Sequence, residues 1–374
     1  MAMSHQLSIQ VCFFIYSFTG GGAEKMMINV ANELHARGYQ VEIMLVDASG
    51  PYTSLVDPKI DVSEIGGSNT IEIQYNLWKY LRSNEPDVFL STMEIPNIVS
   101  VIATRTLSIP VALRIANINS MKDRQGKYKL IPVLKRLTYP RAESIITISD
   151  GVAQDLSSIT DITQNQMRTI YNPAFDPEIP EKSREAVNFD WLNDDDKNVV
   201  IGVGSLKPQK DFSMLLDAIY QLEDDNTHLV ILGKGDLKQD LIQQANELGI
   251  RDRISFPGFV DNPYAYMAKA DVFALSSAWE GFGNVIVEAM ACETPVVCTD
   301  CPGGPAEILD NGTYGPLVPV GDDTAMAEAI QQLFEDPTDP DLLVSRAQDF
   351  TIEKIVDQYE EELDSVVGNQ SSGR

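Results

Sequence analysis

Short apolar segments alternate with amphipathic segments along this chain, and this alternation constrains its fold more than any other feature. Residues 198–203 and 228–232 have the length and composition of strands that are buried on both faces. The segment that ends at Gly38 repeats Met26, Met27, Val30 and Leu34 at helical spacing. Strands that alternate with helices in this way predict a parallel sheet covered by helices on both sides.

The alternation occurs in two series separated by residues 172–197, where Pro173, Pro177 and Pro180 stand among acidic residues. The predicted strands are 9–16, 39–46, 88–90, 111–113 and 144–148 in the first series, and 198–203, 228–232, 254–256, 272–275 and 295–298 in the second. We therefore predict two doubly wound α/β domains in tandem. The predicted boundaries are 1–171, a linker at 172–197, a second domain at 198–349, and a C-terminal helix and tail at 350–374 that could pack back on the first domain.

Length and composition agree with two soluble domains. A chain of 374 residues exceeds what one hydrophobic core normally supports, and 44% hydrophobic with 22% charged residues is typical of globular proteins. No apolar run approaches the length of a membrane span, so we expect a cytoplasmic protein. The net charge of −27 argues against nucleic-acid binding, which needs basic residues to neutralise phosphates.

The cysteines and histidines do not indicate a metal site. The four cysteines include one Cys-x-x-Cys, at Cys298 and Cys301, and the three histidines lie far apart in sequence. Structural zinc sites usually need four ligands at recognisable spacing, so packed, reduced thiols are the favoured interpretation.

A glycine-rich turn follows the first predicted strand of each domain, at 19–25 and at 202–207. Such a turn presents backbone N–H groups at a helix N-terminus, which suits phosphate. Lys25 and Lys207 stand where a dinucleotide fingerprint needs its third glycine, which argues against a nicotinamide dehydrogenase. Neither turn has the pattern of a nucleoside-triphosphate P-loop.

Residues 276–290 carry the strongest functional signal. Glu280 lies in a loop after a predicted strand, Gly281 and Gly283 leave backbone exposed, and Asn284 begins a predicted helix. Glu288 lies one helical turn further on. The arrangement suits a phosphate at the helix N-terminus with one carboxylate beside it and one below it, although two solvated surface glutamates would give the same sequence.

In this context the chain resembles glycosyltransferase family 4, the retaining enzymes of GT-B architecture with two Rossmann-like domains facing a central cleft. The resemblance rests on Glu280-x7-Glu288 and covers nearly the whole chain. It is carried also by the flanking segments 258–260, 270–273, 288–291, 294–297, 299–305 and 307–309, and by the turn at 20–24.

The resemblance implies a role for each matching position. Glu280 and Lys210 would be catalytic, with Glu280 holding the transferred sugar and Lys210 neutralising the diphosphate, while Glu288 would bind the ribose. The implied donor-binding residues are Gly21, Gly22, Gly204, Ser205, Lys207, Gly233, Val260, Gly281, Phe282, Gly283, Asn284, Val285 and Glu288. Since Lys210 and a helix dipole would stabilise the leaving diphosphate, no metal or other cofactor is implied.

Two positions depart from the family pattern. Many relatives have Arg where Ser205 stands, which leaves Lys210, helped by Lys207, to offset the phosphate charge. Some relatives have a His near Ala116 and Asn117, but this chain has none there; Asn117 can orient a substrate but cannot act as a base.

Residues 121–141 are locally basic in an acidic chain and interleave apolar residues. Either a solvated helix with a core-facing stripe or a helix that binds an anionic membrane or a lipid-diphosphate acceptor explains the pattern. The acceptor-side candidates are Asn117, Lys127, Lys129, Lys135 and Arg136.

The predicted function is retaining transfer of a hexose or N-acetylhexosamine from a nucleotide-diphosphate sugar, with UDP favoured over GDP, to a glycan or lipid-linked acceptor. Surface polysaccharide or glycoconjugate synthesis would be the setting, on the inner face of the membrane. The alternatives are a nucleotide-sugar epimerase of the same architecture and a non-catalytic protein that binds sugar nucleotides.

Overall fold

The computed structural model describes residues 9–19, 21–121, 129–222 and 224–371. The chain forms two compact units. Unit 1 comprises Met1–Pro173 and Ile352–Arg374, and unit 2 comprises Ala174–Thr351.

Unit 1 contains, within the described residues, a seven-stranded parallel sheet with the order β3-β2-β1-β4-β5-β6-β7. Its strands are β1 Gln10–Ser17, β2 Gln40–Asp47, β3 Asp61–Glu64, β4 Val88–Thr92, β5 Val111–Ile115, β6 Ser144–Thr147 and β7 Arg168–Thr169. The helices between them are α1 Gly22–Ala36, α2 Thr70–Asn84, α3 Glu94–Arg105, α4 Ile131–Thr138 and α5 Asp150–Ile159.

The local sequence explains where these elements begin and what they bury. Asn69 Oδ1 accepts a hydrogen bond from Glu72 N at 3.1 Å and starts α2, and Ser149 Oγ accepts one from Val152 N at 3.1 Å and starts α5. The strands β4, β5 and β6 are buried along their whole length, as expected for parallel strands covered by helices on both faces. Residues Met27, Val30 and Leu34 of α1 are buried, as their spacing predicts.

Unit 2 contains, in its described part, a six-stranded parallel sheet with the order β10-β9-β8-β11-β12-β13. Its strands are β8 Asn198–Val203, β9 Thr227–Leu232, β10 Ile254–Gly258, β11 Val272–Leu275, β12 Val296–Thr299 and β13 Leu317–Val318. Its helices are α6 Ile179–Lys182, α7 Phe212–Gln221, α8 Lys238–Glu247, α9 Pro263–Met267, α10 Asn284–Ala291, α11 Pro305–Ile308, α12 Asp323–Glu335 and α13 Pro340–Ala347.

Residues 172–197 are not a free linker, which corrects the sequence interpretation. From Ala174 onward they belong to unit 2, where Ile179, Val187 and Leu192 are buried. Asn262 Nδ2 donates to Lys182 O at 2.9 Å and fixes the segment to the body of the unit. The prolines interrupt the strand–helix alternation, but the apolar residues between and after them are still buried in unit 2.

The last helix, α14 Ile352–Ser371, belongs to unit 1. Its residues Ile355, Tyr359 and Leu363 are buried in the same core as β1 and α1. Arg37, after α1, donates to the carboxylates of Asp357 and Glu360 on this helix, both at 2.6 Å. Unit 1 is therefore built from the two ends of the described chain.

All four cysteines are buried and free. Burial raises the pKa of Cys298 well above its ordinary value and that of Cys301 to about 12, with a contribution to Cys301 from the negative charge of Glu280.

Among the described residues no cluster of His, Cys, Asp and Glu has the geometry of a metal site. None of the described helices is long and apolar enough to span a bilayer.

Each sheet has a topological switch point, the reversal point, where successive strands stop extending the sheet on one side of its first strand and begin to extend it on the other. In unit 1 it lies between β1 and β4, and in unit 2 between β8 and β11. Loops at the carboxyl ends of strands separate at this point and leave a crevice, which is the usual ligand site of such sheets.

Candidate active site

The predicted catalytic residues meet at the reversal point of unit 2. Lys210 follows β8 and Glu280 follows β11, and Lys210 Nζ lies 2.5 Å from Glu280 Oε1. The side chains are 15% and 9% exposed, respectively. Ser277 Oγ donates to the same carboxylate oxygen at 2.7 Å. The structure thus brings these residues together as a nearly buried ion pair.

Hydrogen bonds between the two loops hold this pair in place. Ala278 N donates to Gln209 O at 2.8 Å, and Gln209 Nε2 donates to Trp279 O at 3.0 Å. Ser276 Oγ donates to Lys210 O at 2.8 Å. Neither Gln209 nor Ser276 was a predicted site residue, because their contribution depends on which strands are neighbours in the sheet.

The loop after β12 contacts the backbone of Glu280. Glu280 N donates to Pro302 O at 3.0 Å. Gly303 has φ +128°, and a Cβ atom there would lie 1.9 Å from Glu280 O. Only glycine allows this approach, which explains why a Pro-Gly-Gly-Pro segment follows the strand.

The helix α10 begins directly after the Glu280 loop. Gly283, at φ +102°, is its N-cap, and no side chain caps the helix. Asn284 and Val285, which start α10, are half-buried, whereas Gly281 and Phe282 are buried. The first turn of α10 therefore places a partial positive charge close in sequence to Glu280.

Glu288 lies one turn into α10 and is half-buried. Its negative charge helps to raise the pKa of two neighbours, Tyr264 and Cys292, for both of which burial is the larger cause. Glu288 therefore lies near these two groups, on the helix that follows the Glu280 loop. Its predicted contact with a ribose remains a prediction.

The glycine turn after β8 adjoins the ends of β9 and β10. Gly204 N donates to Leu232 O at 2.9 Å, and Gly233 N donates to Gly258 O at 2.8 Å. Ser205 and Lys207 are exposed, and Val260 is half-buried. These predicted donor-binding positions all lie at the carboxyl edge of the sheet.

Phe259, next to Val260, was missed by the sequence interpretation. It is 67% exposed at the end of β10, and Lys234 Nζ lies 5.6 Å from the centre of its ring. An exposed aromatic ring at the ligand edge of a sheet could have been recognised from its place directly after a predicted strand.

In unit 1, the predicted phosphate turn precedes α1. Gly21 is its N-cap in an extended conformation and Gly22 is its first residue. Both lie at the carboxyl end of β1, beside the reversal point of that sheet.

The acceptor-side candidates separate into different environments. Asn117 is exposed and lines a cavity of unit 1 of about 370 Å³. Lys135 lines the same cavity but is fully buried and paired with Glu94, so its predicted role at an anionic surface is wrong. Arg136 is exposed and forms an ion pair with Asp161 at 2.6 Å, and Lys129 is exposed. Lys127 lies outside the described residues.

The helix α4 buries its apolar residue Ile131 but does not turn its other apolar residues to the core, so the core-facing stripe, one of the two interpretations of this segment, is not observed. Its polar residues Lys135 and Thr138 are buried, whereas Val133 and Leu137 are 55% exposed and Leu134 is 39% exposed. Leu130, directly before α4, is 62% exposed. Because these four positions share one helical face, α4 presents an apolar stripe to its surroundings.

Two family models match consecutive parts of the chain. The Glycosyltransferase Family 4 model matches residues 20–174, and the model named Glycosyl transferases group 1 matches residues 183–350.

Among similar proteins is an N-acetylgalactosamine-N,N'-diacetylbacillosaminyl-diphospho-undecaprenol 4-alpha-N-acetylgalactosaminyltransferase of Campylobacter jejuni, 28% identical over 336 residues that cover 86% of this chain and 89% of the relative. The lipopolysaccharide core biosynthesis glycosyltransferase LpsD of Rhizobium meliloti is 28% identical over 329 residues that cover 86% of this chain and 88% of the relative.

Among solved structures, HepE of Anabaena in complex with UDP-glucose matches with a TM-score of 0.78 and 25% identity over 96% of this chain and 100% of HepE. The two parallel-sheet α/β units are those of the GT-B fold, as predicted. With both halves matched by its two domain models, the chain belongs to glycosyltransferase family 4 and is a glycosyltransferase.

Proposed function

We propose that this glycosyltransferase transfers a hexose or N-acetylhexosamine from a UDP-sugar to a lipid-linked or glycan acceptor, with retention of the anomeric configuration. The observation that carries the proposal is the Lys210–Glu280 ion pair, which lies at the reversal point of unit 2 just before α10. A nucleotide-diphosphate sugar needs positive charge for its phosphates and a hydrogen-bond acceptor for its sugar hydroxyls, and this pair supplies both.

The choice of donor and acceptor class follows from the relatives. HepE, at 25% identity, has been solved in complex with UDP and with UDP-glucose. The Campylobacter relative is named for a diphospho-undecaprenol acceptor, and the Rhizobium relative for lipopolysaccharide core synthesis. These names favour UDP as the nucleotide and a lipid-linked glycan as the acceptor.

In the proposed reaction, the donor diphosphate binds Lys210 and so releases Glu280 from the ion pair. Glu280 then accepts hydrogen bonds from the sugar hydroxyls. The bond between the anomeric carbon and the diphosphate oxygen breaks, the acceptor oxygen bonds to the same face, and the acceptor proton passes to the departing phosphate. Lys210 and the first turn of α10 stabilise the developing negative charge, so we expect turnover to persist in EDTA.

Product analysis tests the proposal. Purified protein is incubated with UDP- and GDP-sugars, with and without lipid-linked and oligosaccharide acceptors, and the product is examined by NMR. We expect acceptor-dependent transfer from a UDP-sugar with the donor's anomeric configuration. An epimerised nucleotide sugar formed without acceptor would favour the epimerase alternative, binding without turnover would favour a non-catalytic protein, and an inverted product would reject the mechanism.

We also propose that unit 1 binds the membrane surface through the apolar stripe of α4, with Lys129 as its basic neighbour. Four exposed apolar residues on one helical face support this docking, whereas the basic charge of the segment supports it less, because Lys135 is buried and Arg136 is paired.

Flotation with phosphatidylglycerol-containing vesicles tests this docking. We expect Val133→Ser/Leu137→Ser to lower the bound fraction several-fold, while Leu342→Ser, a control at an exposed apolar residue of unit 2, leaves it unchanged. Equal binding by the stripe variant and the control would remove the membrane proposal.

A further inference from the structure

The chain passes from unit 1 to unit 2 after Pro173 and returns to unit 1 after Thr351. The first and last residues of unit 2 are tied to each other. Phe175 N donates to Phe350 O at 3.1 Å, and Phe175 forms a parallel bridge with Thr351. Residues 174–176 and 349–351, which we call the paired ends of unit 2, therefore form one local structure.

The ring of Phe350 joins the paired ends to the loop that follows β11. Its centre lies 5.4 Å from that of the Phe282 ring, with 68° between the ring planes, which is an edge-to-face contact. Phe282 lies between Glu280 and Gly283, the N-cap of α10. Phe282 and Phe350 are 2% and 1% exposed, respectively. The paired ends thus contact the loop that carries the predicted catalytic carboxylate.

Both rings are held by close neighbours. A Cβ atom at Gly304 would lie 2.6 Å from Phe282 O and 3.0 Å from Cδ2 of its ring, so the backbone of Gly304 packs tightly against Phe282. The guanidinium carbon of Arg346 lies 4.9 Å from the centre of the Phe350 ring. Arg346 is itself fixed, since it donates to two backbone carbonyl oxygens at 2.9 and 2.7 Å. Because a packed interior transmits displacement, a shift of the Glu280 loop displaces the paired ends.

Unit 1 holds its own side of both crossings with one buried arginine. Arg114, on β5, is 1% exposed. Its Nη2 donates to Asn172 Oδ1 at 2.5 Å, and its Nε donates to the hydroxyl of Tyr359 at 3.1 Å. Asn172 lies just before the first crossing, and Tyr359 lies on α14, which follows the second. The two crossings are therefore not loose tethers.

We propose that Phe350 is a positioning residue of the donor site, which holds the Glu280 loop through Phe282 and couples the occupancy of this loop to the paired ends of unit 2. The inference rests on the proposed function, since it takes the nucleotide sugar to bind at this loop. Donor binding orders the loop, and the packed rings carry this order to the hydrogen bond between Phe175 and Phe350. Because such coupling is reciprocal, loosening the rings weakens donor binding, although Phe350 is buried and offers a ligand no surface.

Fluorescence of Trp279, which lies in the same loop, tests the positioning role without any ligand. In a Trp78→Phe/Trp191→Phe background, Trp279 is the remaining tryptophan of the chain. We expect Phe350→Leu to raise the acrylamide quenching constant of Trp279 about twofold or more, since a loop that loses a packed contact opens more often. Phe334→Leu, the same change at a half-buried phenylalanine of α12, is the matched control and should leave quenching unchanged. Equal quenching in the two variants would overturn the positioning role.

Hydrogen–deuterium exchange with UDP tests the coupling. We expect saturating UDP to slow exchange of the Phe175 amide several-fold in the unmodified protein and to lose most of this effect in Phe350→Leu. The variant should also bind UDP about three- to tenfold more weakly, as expected for the loss of an edge-to-face aromatic contact. If Phe350 only stabilised the core of unit 2, the variant would melt at a lower temperature but, once saturated with UDP, would protect Phe175 in full. That result would overturn the coupling.

The variants Phe282→Leu and Phe282→Leu/Phe350→Leu show whether Phe350 acts through Phe282. In that case the double variant binds UDP no more weakly than Phe282→Leu alone, whereas additive losses would overturn the route through the ring pair. Phe350→Met, whose flexible side chain refills more of the space, takes the place of Phe350→Leu if the latter does not fold.

The same measurements separate this inference from the proposed function. Failure of the unmodified protein to bind UDP would count against the proposed function, and the quenching of Trp279, which needs no ligand, would still decide the positioning role of Phe350. Binding of UDP without protection of the Phe175 amide would instead overturn the coupling and leave the proposed function standing.

Discussion

Each unit of this enzyme places a carboxylate–lysine pair beside the reversal point of its sheet, but the two pairs differ in which member can be reached. In unit 2 the side chains of Lys210 and Glu280 are 15% and 9% exposed, so the lysine is the more accessible. In unit 1 Lys135 is fully buried and Glu94 is 20% exposed, so the carboxylate is the accessible member. The more accessible member of the pair is thus a cation in unit 2 and a carboxylate in unit 1.

The two units also differ at the helix that follows the strand next to the reversal point. The N-cap has a positive φ in both, at Met93 before α3 and at Gly283 before α10. Glycine adopts this conformation without cost, whereas methionine stores roughly 1–3 kcal/mol of strain. The special backbone of unit 2 is therefore visible in the sequence as a glycine, whereas that of unit 1 is not.

The largest effect is expected from Glu280→Gln. The substitution keeps the shape of the side chain but removes the charge that would stabilise the transferred sugar, so kcat should fall on the order of 100-fold or more. Initial rates at saturating donor give this value. The control Glu288→Gln should chiefly raise donor KM, because a ribose contact is made in the ground state and the transition state alike. Full kcat in the Glu280 variant would remove the catalytic role of the pair in unit 2.

Lys210→Ala is expected to cost about 3 kcal/mol in kcat/KM, since a preorganised positive group is lost and Glu280 loses its partner. Lys207→Ala, at the exposed turn of the same loop, should have a smaller effect. Equal losses in the two variants, measured as kcat/KM for the UDP-sugar, would assign the phosphate role to both lysines and weaken the contrast between the units.

Gly303→Ala should destabilise unit 2 by about 2 kcal/mol or more, because the new Cβ would lie 1.9 Å from Glu280 O at a φ of +128°. Gly321→Ala is the matched control, since its φ is +78° but nothing lies near its Cβ, and a loss nearer 1 kcal/mol is expected. Calorimetric melting measures both. Equal losses would mean that backbone strain alone, without the contact to Glu280, accounts for the need for glycine at 303.

Met93→Gly should have the smallest effect and the opposite sign. Relief of strain outweighs the added chain entropy, so we expect a gain of about 1 kcal/mol in stability. Met93→Ala keeps the strained backbone and serves as control for the lost side chain, and it should not be stabilising. A destabilised Met93→Gly would show that the backbone at Met93 is not strained, so that the two N-caps do not differ in strain.

The sequence predicted those helices and strands whose apolar residues form a recognisable run or repeat. Long strands such as β8 and β9 were predicted at nearly their observed positions. The short strands β7 and β13, of two residues each, were missed because so few residues show no period. The prolines of residues 172–197 led to the prediction of a linker, whereas the structure shows folded chain there. Proline interrupts a periodic sequence pattern but does not prevent the residues around it from being buried.

The candidate site was predictable where local sequence determines it and not where the tertiary fold does. Glu280, Gly283 and Asn284 follow one another, and the motif predicted their common loop. The pairing of Lys210 with Glu280 joins residues 70 positions apart and depends on strand order. Lys135 is the clearest error, because a lysine among apolar residues suggests a surface charge, whereas its contacts with Glu94 and Asn119 depend on the tertiary fold.

The position of α14 has a consequence for synthesis on the ribosome. The residues of unit 2 are contiguous, so this unit can complete its core as soon as its own segment has emerged. Unit 1, although its first strand is made earliest, lacks Ile355, Tyr359 and Leu363 until the last helix leaves the exit tunnel. Unit 2, although it is made second, can therefore fold first, and any premature stop before α14 leaves unit 1 with an exposed core.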